Sequence, residues 1–527
     1  LILEEKMNLK LSNYLLLSAS ILMGLQTVAW AQNPVVNTSE GQVIGKVKNG
    51  ISVFRGIPYA KAPVGDLRWH APLPHDVWAT PIKAFRDGSI CLQPKGVGKA
   101  QTVGSEDCLS LNIWATTQAK TPQPVMVFIH GGFYVEGSSD DKEEFIHLQD
   151  GQGLASQGQM IVVSFNYRLG PLGFLASPSL DDGSVESQSG NFGLMDQLAA
   201  LKWIHENIAA FGGDPARVTV FGQSAGASSV LSLIASPMSE GLFSQAIVES
   251  GYLKDISRTD AYRLSSKLIT ATGCQKATRD ATATCLRALS GPDVVGAVPP
   301  SALEGGGGLF VPNQDGWIIP EPLDQAYSLG HVRKIPVMMG TNTDESETLA
   351  TSLYGPKIKT EDDLEKVVTA SYGEAIWEKA KPVYQNSSLK SPQDQLVQLS
   401  TDGIFTCPIS TLARELAPQT KTWRYVFNHH VHFPFVSGLG AFHGLELLYV
   451  FGSEPFLLKL SPAERHLSLT MRNYWASFAR NGDPNVVGQP EWPNFQVGDE
   501  SALEITESND IQTVKAFRAE RCNALGL

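Results

Sequence analysis

Gly222-Gln223-Ser224-Ala225-Gly226 sets a serine between two glycines, after the apolar run 218–221 and before Ala227-Ser228-Ser229-Val230. Strand, tight turn and helix form the frame in which G-x-S-x-G presents a nucleophile. The serine sits on a strained turn, the glycines keep neighbouring Cβ atoms away, and Oγ stands at a helix start, where developing negative charge is favoured. The chemistry this offers is attack on a carbonyl carbon. A hydroxyl is a poor nucleophile until a base takes its proton, and the usual base is a histidine oriented by a carboxylate.

The sequence holds eleven histidines. His443, in Phe442-His443-Gly444, follows the apolar run Thr422–Phe427 by a short loop, which suits a strand-end position. His205 falls in a helical stretch. His429, His430 and His432 are close together but have no cysteine or carboxylate at metal-like spacing, so no metal site is expected. The acid should lie between serine and histidine in the chain. Asp344, Glu345 and Glu347 all follow the run 335–339, and position alone does not choose among them. Acyl transfer also needs backbone N–H groups aimed at the developing oxyanion. Ile129-His130-Gly131-Gly132-Phe133-Tyr134 follows the run 125–129 and has the form of an HGGG-type donor loop.

These residues need a scaffold that brings strand ends together. Short apolar runs at 125–129, 160–165, 218–221, 246–248, 335–339 and Thr422–Phe427 alternate with Gly-rich turns and helical stretches. That pattern predicts an α/β architecture, a mostly parallel sheet covered on both faces. The clearest helix spans 193–208, with Leu194, Leu198, Leu201 and Ile204 at helical spacing. Near the N-terminus, 42–47 and 51–56 flank Asn49-Gly50, a strong hairpin signal, and predict a small antiparallel sheet. In parallel sheets of this kind, sites form at the carboxyl ends of strands.

With 41 basic and 53 acidic residues the net charge is −12, which repels phosphate backbones and argues against a nucleic-acid partner. Residues 1–31 read as an export signal. Lys10 precedes the apolar stretch 14–25, and Ala29-Trp30-Ala31 offers small residues at a cleavage site. Met7 is the expected start, and residues 32–527 the mature chain, organised as one catalytic domain and either periplasmic or secreted. The stretch is short for spanning about 30 Å of hydrocarbon, so no membrane anchor is expected after cleavage. Six cysteines suit an exported chain, but they allow fifteen full pairings and sequence does not give the connectivity.

Taken together, these motifs resemble the type-B carboxylesterase and cholinesterase family of α/β-hydrolases. The likeness extends through Phe54-Arg55-Gly56-Ile57-Pro58-Tyr59-Ala60, Glu106-Asp107-Cys108, Asn166-Tyr167-Arg168-Leu169-Gly170, Gly190-Asn191-Phe192-Gly193, Phe211-Gly212-Gly213-Asp214-Pro215 and Asn481-Gly482-Asp483-Pro484. The resemblance implies a large twisted sheet and an ester hydrolase with a Ser224–His443–Glu345 triad. It assigns the acid to Glu345 beside Asp344, and the oxyanion donors to the Gly131-Gly132-Phe133 loop and Ala225. It implies disulfides Cys91–Cys108, Cys274–Cys285 and Cys407–Cys522. The implied partner is a small-molecule ester, with no cofactor.

Three departures from the family pattern stand out. Gln223 replaces the usual glutamate beside the nucleophile. Phe133, next to Tyr134, replaces a small residue and narrows or redirects the acyl pocket, so Phe133, Tyr134 and Gln223 are the expected substrate contacts. The segment between Cys91 and Cys108 is short and lacks tryptophan, which argues against choline esters. Two other readings compete: a non-catalytic binding or adhesion protein on the same fold, and an esterase specialised for one polyester, toxin or lipid ester. Fold and triad do not separate the last from a general esterase.

Overall fold

The structure, a computed structural model, describes residues 33–527 apart from 96–100, 117–120, 141–148, 182, 185–187, 299–309, 386–388, 390, 432–437, 455–458 and 508–509. The export segment 1–31 and His432 therefore lie outside the described residues.

Among the described residues, eleven strands form one sheet. They are β1 (Lys46–Lys48), β2 (Ile51–Pro58), β3 (Ser110–Thr116), β4 (Gln123–Ile129), β5 (Ile161–Phe165), β6 (Gly213–Gln223), β7 (Gln245–Glu249), β8 (Val337–Asn342), β9 (Thr422–Phe427), β10 (Ala502–Ile505) and β11 (Ile511–Val514). The order is β11-β10-β9-β8-β7-β6-β4-β5-β3-β2-β1. Pairing is parallel from β10 through β5 and antiparallel at both edges.

The apolar runs are unbroken because the central strands are buried on both faces. Alternate residues feed two cores. Val125, Val127, Val218, Val220, Val248 and Met339 point to one side, where they meet Leu194, Leu198, Leu201 and Ile204 of helix α1 (Phe192–Asn207) and Val230 and Leu233 of α2 (Ala225–Ala235). Met126, Phe128, Phe221, Ile247, Met338 and Tyr425 point to the other, against Met471, Tyr474 and Trp475 of α3 (Pro462–Asn481).

The Asn49-Gly50 turn does join β1 to β2, with φ of 51° and 77° at its two residues, as a two-residue hairpin loop requires. The strand expected over 42–47 is broken at Gly45, where a Cβ would lie 2.7 Å from the Phe54 ring. Gln42–Ile44 instead belongs to a small three-stranded sheet, antiparallel to Val35–Asn37 and parallel to Ile82–Lys83. Hydrophobic alternation does not register such a break, because both halves alternate correctly.

All three disulfides implied by the resemblance are formed: Cys91–Cys108, Cys274–Cys285 and Cys407–Cys522. The last ties a helix (Cys407–Leu416) to the C-terminal helix (Ala519–Leu525), within an apolar cluster that includes Leu396, Leu399 and Trp377. Among the described residues, no helix is long and apolar enough to cross a membrane.

Candidate active site

Strand β6 stops at Gln223 and α2 starts at Ala225, leaving Ser224 alone at the turn with φ 58° and ψ −124°. Such a backbone costs about 1–3 kcal/mol in a non-glycine residue and persists only when its surroundings over-determine it. Three glycines do so. A Cβ on Gly222 would lie 2.5 Å from the Gly226 carbonyl carbon, and one on Gly226 would lie 2.7 Å from the His130 carbonyl oxygen. A Cβ on Gly131 would sit 3.0 Å from that of Ser224. Three backbone segments therefore meet at the serine with no room for side chains between them. The Ser224 N–H donates to the Glu249 carbonyl at 3.0 Å, and the Ser228 N–H to the Ser224 carbonyl at 2.9 Å, which closes the first helical turn. Ala225 opens α2, so its N–H belongs to the set with no intrahelical acceptor.

The loop after β4 faces this elbow. Gly132, Phe133 and Tyr134 have φ of 102°, 55° and 63°, three successive left-handed residues of which only one is glycine. The Val135 and Glu136 N–H groups donate to the Gly132 carbonyl at 2.9 and 3.0 Å. His130 anchors the loop from below. Its ring stacks on Tyr167 with centroids 4.3 Å apart, its Nδ1 bonds the Gly131 carbonyl at 2.9 Å, and the Tyr167 hydroxyl donates to the His130 carbonyl. Burial drives the imidazole down to about 4, outweighing the Gly131 bond, so it is neutral at ordinary pH. Its task is structural. Phe133 is half-buried at the edge of the core, and Tyr134 is buried with its ring against Phe174.

The third component follows β8. Glu345 is fully buried, and its Oε2 lies 2.6 Å from His443 Nδ1. Its Oε1 accepts the Asn342 N–H at 2.7 Å. The Asn342 side-chain amide donates to the Phe442 carbonyl at 2.8 Å and to the Glu446 carboxyl. Asn342 thus holds Glu345, the residue before His443 and a second buried glutamate together. Burial first, then repulsion from Glu345, pushes the Glu446 carboxyl up to about 7. Glu249 beside it, bonded by Trp475 Nε1 at 2.7 Å, is also raised well above the carboxylate range, by burial and then by Glu446.

Of the competing acids, Asp344 turns away. Its carboxylate accepts the Ala441 N–H, the Thr343 hydroxyl and the Gln398 amide. Glu347 is half-buried with no contact to the imidazole. The second nitrogen of His443, Nε2, is 3.1 Å from the Gln223 amide nitrogen. Phe405 lies against the ring at a centroid distance of 4.9 Å and also meets Tyr252 edge-on. His429, set aside as a metal ligand, is buried between Glu464 and Glu507 at 3.6 Å from each.

The Carboxylesterase family profile matches residues 32–525. The para-nitrobenzyl esterase of Bacillus subtilis is 35% identical over 498 residues, covering 91% of this chain and 97% of its own. The fumonisin B1 esterase of Sphingopyxis macrogoltabida is 34% identical over 481 residues, 88% and 84% of the two chains. The chain belongs to the carboxylesterase family. A solved structure of PNB esterase superposes with a TM-score of 0.80 at 33% identity over 94% of this chain and all of its own. A carboxylesterase of Geobacillus stearothermophilus gives 0.81 at 30% identity, with 93% and 99% coverage. This carboxylesterase is accordingly an α/β-hydrolase and an ester hydrolase.

Several neighbours of the carboxylesterase site escaped the sequence reading. Asn342 lies in the Gly340–Asn342 stretch at the end of β8, but nothing local says that its amide reaches 100 residues ahead to Phe442. Phe405 sits in a π-helical turn (Asp402–Thr406), a local irregularity that often marks functional sites and leaves no clear sequence signal. That turn is held by Asp402, buried and paired with Arg518 at 2.6 Å. Glu249 and Glu446 read in sequence as ordinary strand and helix carboxylates.

Proposed function

We propose that this carboxylesterase works through a covalent acyl-enzyme on Ser224. The 2.6 Å contact between His443 Nδ1 and Glu345 Oε2 carries the reading. A buried carboxylate there fixes the tautomer with its proton on Nδ1 and leaves the Nε2 lone pair to act as base. His443 takes the Ser224 hydroxyl proton as Oγ attacks the ester carbonyl carbon. The C–O bond to the alcohol then breaks, and the leaving oxygen receives that proton from His443. Water, deprotonated by the same nitrogen, attacks the acyl carbon and releases the acid.

The charge on the carbonyl oxygen is met by the N–H groups of Gly132, Phe133 and Ala225, with Gly131 making the close approach possible. Each such donor is worth about 10²–10³ in rate. Phe133, Phe405 and Tyr252 give the site an aromatic border, which favours a compact acyl group. Relatives named for p-nitrobenzyl and fumonisin B1 esters support an ester substrate without narrowing its class. Three disulfides support function in an oxidising compartment outside the cytoplasm.

Hydrolysis of p-nitrophenyl esters by wild type and Ser224→Ala tests the mechanism. The variant is expected to lose about 10⁵–10⁶ in kcat while its circular dichroism is unchanged. Turnover retained in a folded Ser224→Ala protein would move the nucleophile elsewhere.

A further inference from the structure

Gln223 lies one residue before the nucleophile and is only 6% exposed. Its carboxamide fills a slot between two glycines. A Cβ on Gly131 would be 3.1 Å from Oε1, and one on Gly444 would be 3.6 Å from Nε2. The slot aims the amide nitrogen at His443 Nε2, 3.1 Å away. The opposite ring nitrogen faces Glu345 at 2.6 Å, which requires a proton on Nδ1. Nε2 is then a bare lone pair, and the carboxamide N–H donates to it.

We infer that Gln223 is a positioning residue that selects the proton-accepting form of His443, and that its lack of charge keeps ester hydrolysis active further toward acid than a carboxylate here would. This rests on the reading of His443 as the base. A carboxylate at this position can only accept, so it favours the imidazolium, which cannot take the serine proton. The carboxamide does the opposite. Nε2 has one lone pair, so the Gln223 N–H must leave it before the Ser224 proton arrives, and the new Nε2–H then protonates the leaving alkoxide. No bond to Gln223 forms or breaks covalently.

The other charged groups around the ring are accounted for. Glu345 faces Nδ1, Glu446 lies behind it within electrostatic reach, and Glu249 adjoins Glu446. Phe405, on the ring face, is uncharged. Asp344 is engaged with Ala441 and Gln398. Gln223 is thus the neutral member of the set, in a slot that a glutamate also fits.

The pH dependence of kcat/KM for p-nitrophenyl acetate, measured on wild type, Gln223→Glu and Gln223→Met, tests the inference. Gln223→Glu is expected to move the acid limb to higher pH by about one unit or more, whatever its plateau activity. Gln223→Met lacks the donor, so the ¹⁵N resonance of His443 Nε2 should move toward that of an unbonded lone pair while kcat falls and KM holds. An acid limb of Gln223→Glu that superimposes on wild type overturns the inference, as does an unchanged Nε2 resonance in Gln223→Met. Loss of turnover in Ser224→Ala alongside an unshifted Gln223→Glu profile would leave the acyl-enzyme reading standing and remove only this one.

Discussion

The two halves of the proposed active site are built on different physics. The nucleophile side is local. Ser224 is held at φ 58° by glycines at 222, 226 and 131, all within a few ångströms, and by sterics that any chain of this pattern would obey. The acid–base side is non-local. Glu345, His443, Glu446 and Asn342 come from segments about 100 residues apart and are joined by hydrogen bonds in a pocket where every carboxyl is fully buried. The first half tolerates almost no added volume. The second tolerates almost no unpaired charge.

Exchanging the acid gives the largest expected effect on this contrast. Glu345→Gln keeps the shape, but its one oxygen must serve the Asn342 N–H, so its NH2 faces Nδ1 and favours the wrong tautomer, and kcat should fall about 10⁴-fold. Asp344→Asn, one residue away and bonded elsewhere, should cost under about tenfold. The reverse ranking, read from steady-state kinetics of the two variants, would transfer the role to Asp344. On the nucleophile side, Gly226→Ala presses a methyl group into the carbonyls of Ile129 and His130. The displaced elbow is expected to cost about 10² in kcat/KM and a lower Tm, because a shift of about 1 Å in the reacting groups is enough for such a loss. A smaller effect follows from Asn342→Leu, which strips donors from the Phe442 carbonyl and Glu446. Urea titration should show a loss of about 2–4 kcal/mol, since both acceptors stay buried.

The smallest expected effect is on pH dependence. Glu446 is raised by burial and by Glu345 to about 7, so the folded state holds its proton more tightly than the unfolded chain does. Its contribution is fully present below the ordinary carboxylate value and is lost as pH rises through about 7. Glu446→Gln removes this term. Relative to wild type, its Tm should therefore improve between pH 5 and pH 8 by about 2 °C. A constant difference across that range would mean Glu446 is ionised throughout.

The same division decides what was legible in the sequence. The elbow pentapeptide, the glycine loop and the parallel strands carry their own steric and periodic signatures, so the sharp turn at Ser224, the close approach at Gly131 and the sheet could be read from short windows. Glu345 could not be separated from Asp344 by position. Adjacent residues at a strand end point to opposite sides, and only the resemblance to a family chose between them. Asn342, Glu446 and Phe405 had no signal at all, because their roles depend on partners far along the chain or on a π-helical turn fixed by Asp402 and Arg518. Gly45 shows the same limit in the fold: the strand breaks where a Cβ would meet the Phe54 ring, and hydrophobic alternation does not mark the place.

The central claim is that Ser224 carries the acyl group. Rapid-quench hydrolysis of p-nitrophenyl acetate, followed by mass analysis of the digested enzyme, tests it most directly. The account predicts a burst of p-nitrophenolate stoichiometric with enzyme and an acetyl group on the peptide containing Ser224, with neither seen in Ser224→Ala. A burst that survives in Ser224→Ala, or an acetyl group on another residue, would contradict it.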